Sequence, residues 1–295
     1  MIDTNVMTGI HFGYATTPLG QIHYAQAGAP EAPPLILMHA AGRSSSCYRH
    51  MLPLLARDFR AIAIDLPGFG HSARMPEHTT IDDLAQTLVA FIEDLGLQRP
   101  HIFGLHTGNK IAAALGAKWP EKIGDVILAG QTHSLILDMA TRNRALAPYS
   151  EKYFPKYATT PDGSHLLKAW NLTQAAVEGL WWPPELLNSA TVSATDLAQA
   201  EVRVIDHVQG WQSIVPLYQA IFAFDLPEVA KRMTSRTLVL ELLTQQEAHY
   251  GPQGRLLCDL IPGATLEQLQ NAAGLSMEYR PDEVVTAIRR FLCRV

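Results

Sequence analysis

His106 stands in Gly104-Leu105-His106-Thr107-Gly108, with the apolar residues Ile102 and Phe103 before it and a run of helical spacing from Lys110 to Trp119 after it. This is a strand-to-helix turn of the G-x-S-x-G form, with an imidazole where the hydroxyl would be. Glycines on both flanks let the chain reverse where a Cβ would meet passing backbone, so the middle side chain is expected to project above the sheet. At the positive end of the following helix the protonated ring is disfavoured, and its pKa is expected below the usual value of about 6.5. A neutral imidazole can take a proton from water or a substrate, or attack an electrophile. It cannot form the ester intermediate that a serine forms.

The elements that must hold this turn can be followed along the chain. Ile10 to Gly28 alternates around Thr17-Pro18-Leu19-Gly20 and predicts an antiparallel hairpin. Leu35 to Met38 and Ala61 to Ile64 are solid apolar runs typical of strands buried on both faces, and a helix is predicted from Cys47 to Leu55 between them. Ile81 to Leu95 has helical spacing, with Thr80 as its N-terminal cap and Gly96 as its stop. Asp125 to Ala129 and Thr237 to Leu243 predict further buried strands. A helix from about Pro252 to Leu260, a strand at Thr265 to Leu269 and a helix from Pro281 to Leu292 close the chain. Strand and helix in this rhythm imply a mostly parallel sheet covered on both sides, with ligands at the carboxyl ends of its strands. From Ser134 to about Met233 the rhythm gives way to helical segments rich in aromatic residues. The expected division is therefore core at 1–133, a helical cap insertion at 134–233 and core again at 234–295.

The 295 residues, 47% hydrophobic and 17% charged, suffice for a large buried core. A net charge of -5 with no basic run offers no footprint for nucleic acid or an anionic membrane, which leaves a small neutral or apolar molecule as the expected partner and a homodimer open. Cys47, Cys258 and Cys293 are too few and too scattered for a disulfide frame or a zinc site. With no leader pattern at the start and no long apolar run, a cytoplasmic location is expected.

Over nearly its whole length the sequence resembles the α/β-hydrolase family. The landmarks are the His39-Ala40-Ala41-Gly42 loop, Asp65-Leu-Pro-Gly-Phe-Gly-His-Ser72, the turn at His106, and Ile261-Pro-Gly-Ala-Thr265 with Met277-Glu-Tyr-Arg-Pro281 after it. The resemblance implies an α/β fold with an eight-stranded, mostly parallel sheet, helices on both faces and a helical cap. It does not imply the family's triad. The positions of nucleophile, acid and histidine hold His106, Gln245 or Thr244, and Gly274, and neither glutamine nor glycine can hold or relay a proton for an attacking hydroxyl. What the resemblance does carry over is a pair of oxyanion donors, the backbone N–H groups of Thr107 and Ala41.

His106 is thus either a general base or a polar residue in a pocket that has lost catalysis. In the family's strand order His39 and His133 flank it. No carboxylate lies at a supporting spacing, so no metal site is read from the three, and no cofactor is implied. His39 is counted with the pocket, although ordering its own loop is the more ordinary role for it; His133 is expected to line the pocket. Glu247 is a substitute acid or a solvated loop charge, with His249 beside it; Glu241 is a paired carboxylate or an edge residue. Asp65, by the resemblance, serves loop structure, and Arg43 binds a carboxylate or lies on the surface. Trp181, Trp182, Trp211, Phe222 and Phe224 form either a lid over the ligand or part of the core. The expected function is a cofactor-independent enzyme acting on a small carbonyl compound with His106 as base. The alternatives are a ligand-binding protein without catalysis, and a serine esterase using Ser44, Ser45 or another serine.

Overall fold

The structure, a computed structural model, describes residues 9–130, 160–167, 194–243, 253–270 and 276–293. Strands β1 (His11–Thr17) and β2 (Gly20–Ala27) form the opening antiparallel hairpin, with Thr17 opposite Gly20. Strands β3 (Pro34–Met38), β4 (Arg60–Ile64), β5 (His101–Leu105), β6 (Val126–Ala129), β7 (Thr237–Leu243) and β8 (Thr265–Gln270) complete an eight-stranded sheet in the order β1-β2-β4-β3-β5-β6-β7-β8. From β4 to β8 all pairings are parallel, and β2 joins β4 antiparallel. The strand that ends at the elbow, β5, is flanked by β3 and β6, so the carboxyl ends of three parallel strands meet there.

Alternation explains the solid apolar runs. In β3 and β4, Ile36, Met38, Ile62 and Ile64 face one core with helices α2 (Ile81–Asp94) and α3 (Thr107–Lys118). Leu35, Leu37, Ala61 and Ala63 face the other, with α1 (Met51–Leu55) and the last helix. Each large side chain so buried stabilises the fold by roughly 1.5–3 kcal/mol. Helix α2 starts with a complete capping box between Thr80 and Asp83 and stops at Gly96, whose φ is 62°.

The expected single helix from Cys47 to Leu55 is instead a short 3-10 turn, Ser45–Tyr48, followed by α1. Here the hydroxyls of Ser44 and Ser46 donate to Asp206, and Ser45 N–H donates to Asp65. Carboxylates from elsewhere in the fold thus hold this stretch as a separate turn.

All described residues between β6 and β7 are helical or connecting. They include α4 (Ala194–Ala223), which keeps Pro216 inside it, and α5 (Leu226–Ala230). After β7 come α6 (Gln253–Leu260), α7 (Ser276–Tyr279) and α8 (Pro281–Leu292). Glu241 in β7 is buried and accepts from Gly254 N (2.6 Å) and Gln268 Nε2 (2.7 Å), which makes it the paired carboxylate of the two alternatives. Among the described residues no helix is long and apolar enough to cross a membrane.

Candidate active site

One residue separates β5 from α3, and it is His106, with φ 48° and ψ −99°. A non-glycine residue in that region of backbone space costs about 1–3 kcal/mol and persists only where its surroundings impose it. The surroundings are visible. His106 N donates to Ala129 O (2.9 Å), His106 O accepts from Asn109 N and from Lys110 Nζ (3.2 Å each), and Asn109 Nδ2 donates to Gly130 O (2.7 Å). A Cβ on Gly104 would lie 2.3 Å from Gly108 O, and one on Gly108 would lie 2.5 Å from Met38 O. Both glycines are therefore required for α3 to start this close to β5 and β3.

The ring of His106 is half-buried and lies against Gly130, where a Cβ would come within 3.0 Å of Cε1 and Nε2. Burial, and then the ammonium of Lys110, lower its pKa to about 4. The direction is the one expected from the helix terminus, and desolvation and a buried lysine one turn on act the same way. The imidazole is neutral at any ordinary pH.

The donor pair differs from the expected one. Ala41 N–H donates to Thr107 Oγ1 at 3.2 Å, with both residues buried. A substrate oxygen would have to share or displace that hydroxyl, so the two main-chain donors do not stand open together.

His39 follows β3 as His106 follows β5, yet it is completely buried and both its ring nitrogens are used. Leu66 N–H donates to Nε2 (2.9 Å), which leaves Nδ1 to carry the proton and donate to Ala40 O (2.8 Å). Burial lowers its pKa to about 4. Its place in the ligand-binding set is corrected: His39 ties the loop after β3 to the loop after β4. Asp65 serves the same loops, accepting from His23 Nδ1 (2.8 Å), Ser45 N (2.6 Å) and His71 N (2.9 Å). Burial alone would raise its pKa, but those bonds from His23, His71 and Ser45 hold it below the usual carboxylate value.

Arg43 is neither a surface residue nor open to a ligand carboxylate. It is buried, forks onto Glu278 (Nη2–Oε1 2.5 Å, Nη1–Oε2 3.4 Å) and has Asp206 3.7 Å from Nε. Burial works against its charge, but Glu278 and Asp206 outweigh it and keep the guanidinium protonated. Asp206 in turn accepts from Ser44 Oγ (2.6 Å) and Ser46 Oγ (2.7 Å), while burial pushes its pKa up. His207 Nδ1 meets Gly42 O at 3.2 Å, and Arg203 donates to the Tyr279 hydroxyl at 2.8 Å. From sequence, Glu278 and Tyr279 stand out only as part of the Met277–Pro281 landmark, with no role attached, and Arg203, Asp206 and His207 do not stand out. The contacts at Gly42, Arg43, Ser44 and Ser46 fasten α4 and α7 to the loop bearing Ala41 and the turn after it, and Arg203–Tyr279 joins α4 to α7. A signal existed: Arg203, Asp206, His207, Gly210 and Ser213 recur at helical spacing, a polar and small stripe along one face of α4.

Phe222 is half-buried beside Tyr218 (ring centroids 5.7 Å apart), and both pack against the core that holds Phe224, so these aromatics serve the core. Trp211 lies 6.2 Å from the ring of His165. His133, Trp181, Trp182, Glu247 and His249, with the triad positions Thr244, Gln245 and Gly274, lie outside the described residues. Among the described residues no group of three or more His, Cys, Asp or Glu side chains is placed to hold a metal ion.

A largely parallel eight-stranded sheet with a strained turn at the end of its central strand defines the class. The model of the α/β-hydrolase fold matches residues 33–205, and the chain belongs to that family. It is 25% identical over 213 residues to an uncharacterized hydrolase of Saccharomyces cerevisiae, covering 68% of this chain and 71% of that protein. It is 30% identical over 190 residues to the 2-hydroxy-6-oxo-6-phenylhexa-2,4-dienoate hydrolase of Comamonas testosteroni, covering 59% of this chain and 64% of that protein. In solved structures, the enol-lactonase from Burkholderia xenovorans LB400 superposes with a TM-score of 0.76 at 22% identity, covering 96% of this chain and 100% of that one. Epoxide hydrolase A from Mycobacterium thermoresistibile gives 0.77 at 15%, covering 96% and 98%. At such identities these superpositions speak to fold alone.

Proposed function

We propose that the protein is a cofactor-independent enzyme that acts on a small carbonyl compound, with the neutral imidazole of His106 as base. The observation that carries this is the placement of the ring: it occupies the strained elbow, half-buried, at the carboxyl ends of three strands. A group with a pKa of about 4 is always ready to accept a proton at neutral pH, yet it is a weak base. It therefore suits protons that are already acidic, such as those of an enol or a carbon between carbonyls, or a water aligned on an activated carbonyl. Hydrolysis, carbon–carbon cleavage and isomerisation all fit this demand. The likeness to a hydrolase named for a 2-hydroxy-6-oxo-dienoate supports that substrate class.

The test is a panel of esters, lactones and β-diketones, including 2-hydroxy-6-oxo-dienoates, assayed with wild type and His106→Ala. Turnover by wild type and its loss by at least about a hundredfold in the variant, the size expected for a positioned base, is the predicted result. Equal rates in the two proteins would remove His106 from the mechanism. A second reading is binding without turnover, and the Ala41–Thr107 bond favours it, because one oxyanion donor is already engaged. It predicts saturable binding of such a compound with no product after long incubation.

A further inference from the structure

The contact between Ala41 N–H and Thr107 Oγ1 lies where two chain segments converge on the site. Ala41 belongs to the loop after β3, and Thr107 opens α3 directly after His106. The first N–H groups of a helix have no partner within it, so an oxygen near Thr107 N–H and Ala41 N–H would satisfy both. The side chain of Thr107 puts its own hydroxyl oxygen at hydrogen-bond distance from Ala41 N. The residue is buried, and the bond from Ala41 N–H orients its Oγ1.

An oxygen that accepts a hydrogen bond becomes a better donor through its own O–H. Since Oγ1 accepts from Ala41, its proton is available to a third group. We infer that the Thr107 hydroxyl, polarised by Ala41 N–H, is the donor this protein presents to the oxygen of a carbonyl, enol or enolate ligand, in place of a direct bond from Ala41. This deepens the reading of the elbow as a site for carbonyl compounds and rests on it. The consequence is specific: the ligand oxygen is recognised by a hydroxyl one bond further out from the loop, and side-chain chemistry at position 107 sets affinity.

The probe is 4-nitrophenolate at pH 8, whose absorption band shifts when its oxyanion accepts a hydrogen bond. Wild type, Thr107→Ser, Thr107→Val and Thr107→Ala are titrated with it, and each fold is checked by thermal unfolding. Loss of a hydrogen bond to a charged oxygen corresponds to on the order of tenfold in affinity or more. Thr107→Ser is expected to match wild type within about threefold, while Val and Ala both lose about tenfold and the band shift. If Thr107→Ala binds more tightly than wild type, the hydroxyl merely obstructs Ala41 N–H and the inference is overturned. Equal binding by all four proteins, or by none, overturns it as well. Because the readout is binding, it is separate from turnover: inactivity on every substrate would sink the catalytic reading and leave the titration interpretable. His106→Ala as a fifth protein is expected to keep the band shift.

Discussion

His39 and His106 each follow the last residue of a parallel strand, the strands are neighbours, and burial is the first cause of a pKa near 4 in both rings. Their surroundings differ. The loop after β3 is closed on itself and on the rest of the fold: His39 has both nitrogens on backbone, Asp65 collects three donors, and Arg43 is clasped by Glu278 and Asp206. The turn after β5 holds its backbone in place while leaving the ring partly accessible. Burial depresses the pKa in either place; the difference is that His39 is completely buried with both nitrogens bonded, while His106 keeps partial exposure.

The comparison breaks first at Arg43. Arg43→Met leaves Glu278 and Asp206 without their cation, and removing one partner of a buried ion pair costs about 3–5 kcal/mol. Urea unfolding should show that loss, and a change under about 1 kcal/mol would mean that the closed loop is not held by charge. His39→Leu is next, because it strands the buried N–H of Leu66, which costs about 1–3 kcal/mol.

The same variant sharpens the pH dependence. Unfolded, the His39 ring binds a proton near pH 6.5; folded, only near 4. Between those values the unfolded chain binds more protons, so acid favours unfolding. The contribution is therefore complete above about pH 6.5 and declines as pH falls toward 4, by on the order of 3 kcal/mol for so deeply buried a ring. Unfolding free energies measured from pH 7 to 4.5 should fall less steeply in His39→Leu than in wild type. The smallest expected effect has the opposite sign. His106→Gly removes a side chain from a positive-φ position and should raise stability by up to about 1 kcal/mol, since glycine adopts that backbone conformation without the Cβ clash.

Much of this was legible in the sequence where local rules decide. The apolar runs gave the strands, Thr80 and Gly96 gave the limits of α2, and the glycines at 104 and 108 gave the elbow, because backbone sterics act over a few residues. The interrupted helix at Ser45–Tyr48 was not legible, since the groups that hold it apart, Asp206 and Asp65, come from distant segments. For the same reason Arg43 could not be placed without its partner Glu278, some 235 residues away in the chain. The engagement of Ala41 by Thr107 is likewise a matter of Å between a loop and the start of α3. The polar stripe of α4 could have been found, but a stripe does not say what it faces.

The most direct test of the central claim is the pH dependence of kcat/KM on a carbonyl substrate found in the panel, followed from pH 3.5 to 8. An acid limb with a midpoint near 4, absent from any residual activity of His106→Ala, is the result expected of a desolvated, neutral imidazole acting as base. A midpoint near 6.5, or an unchanged rate and profile in the variant, would contradict it.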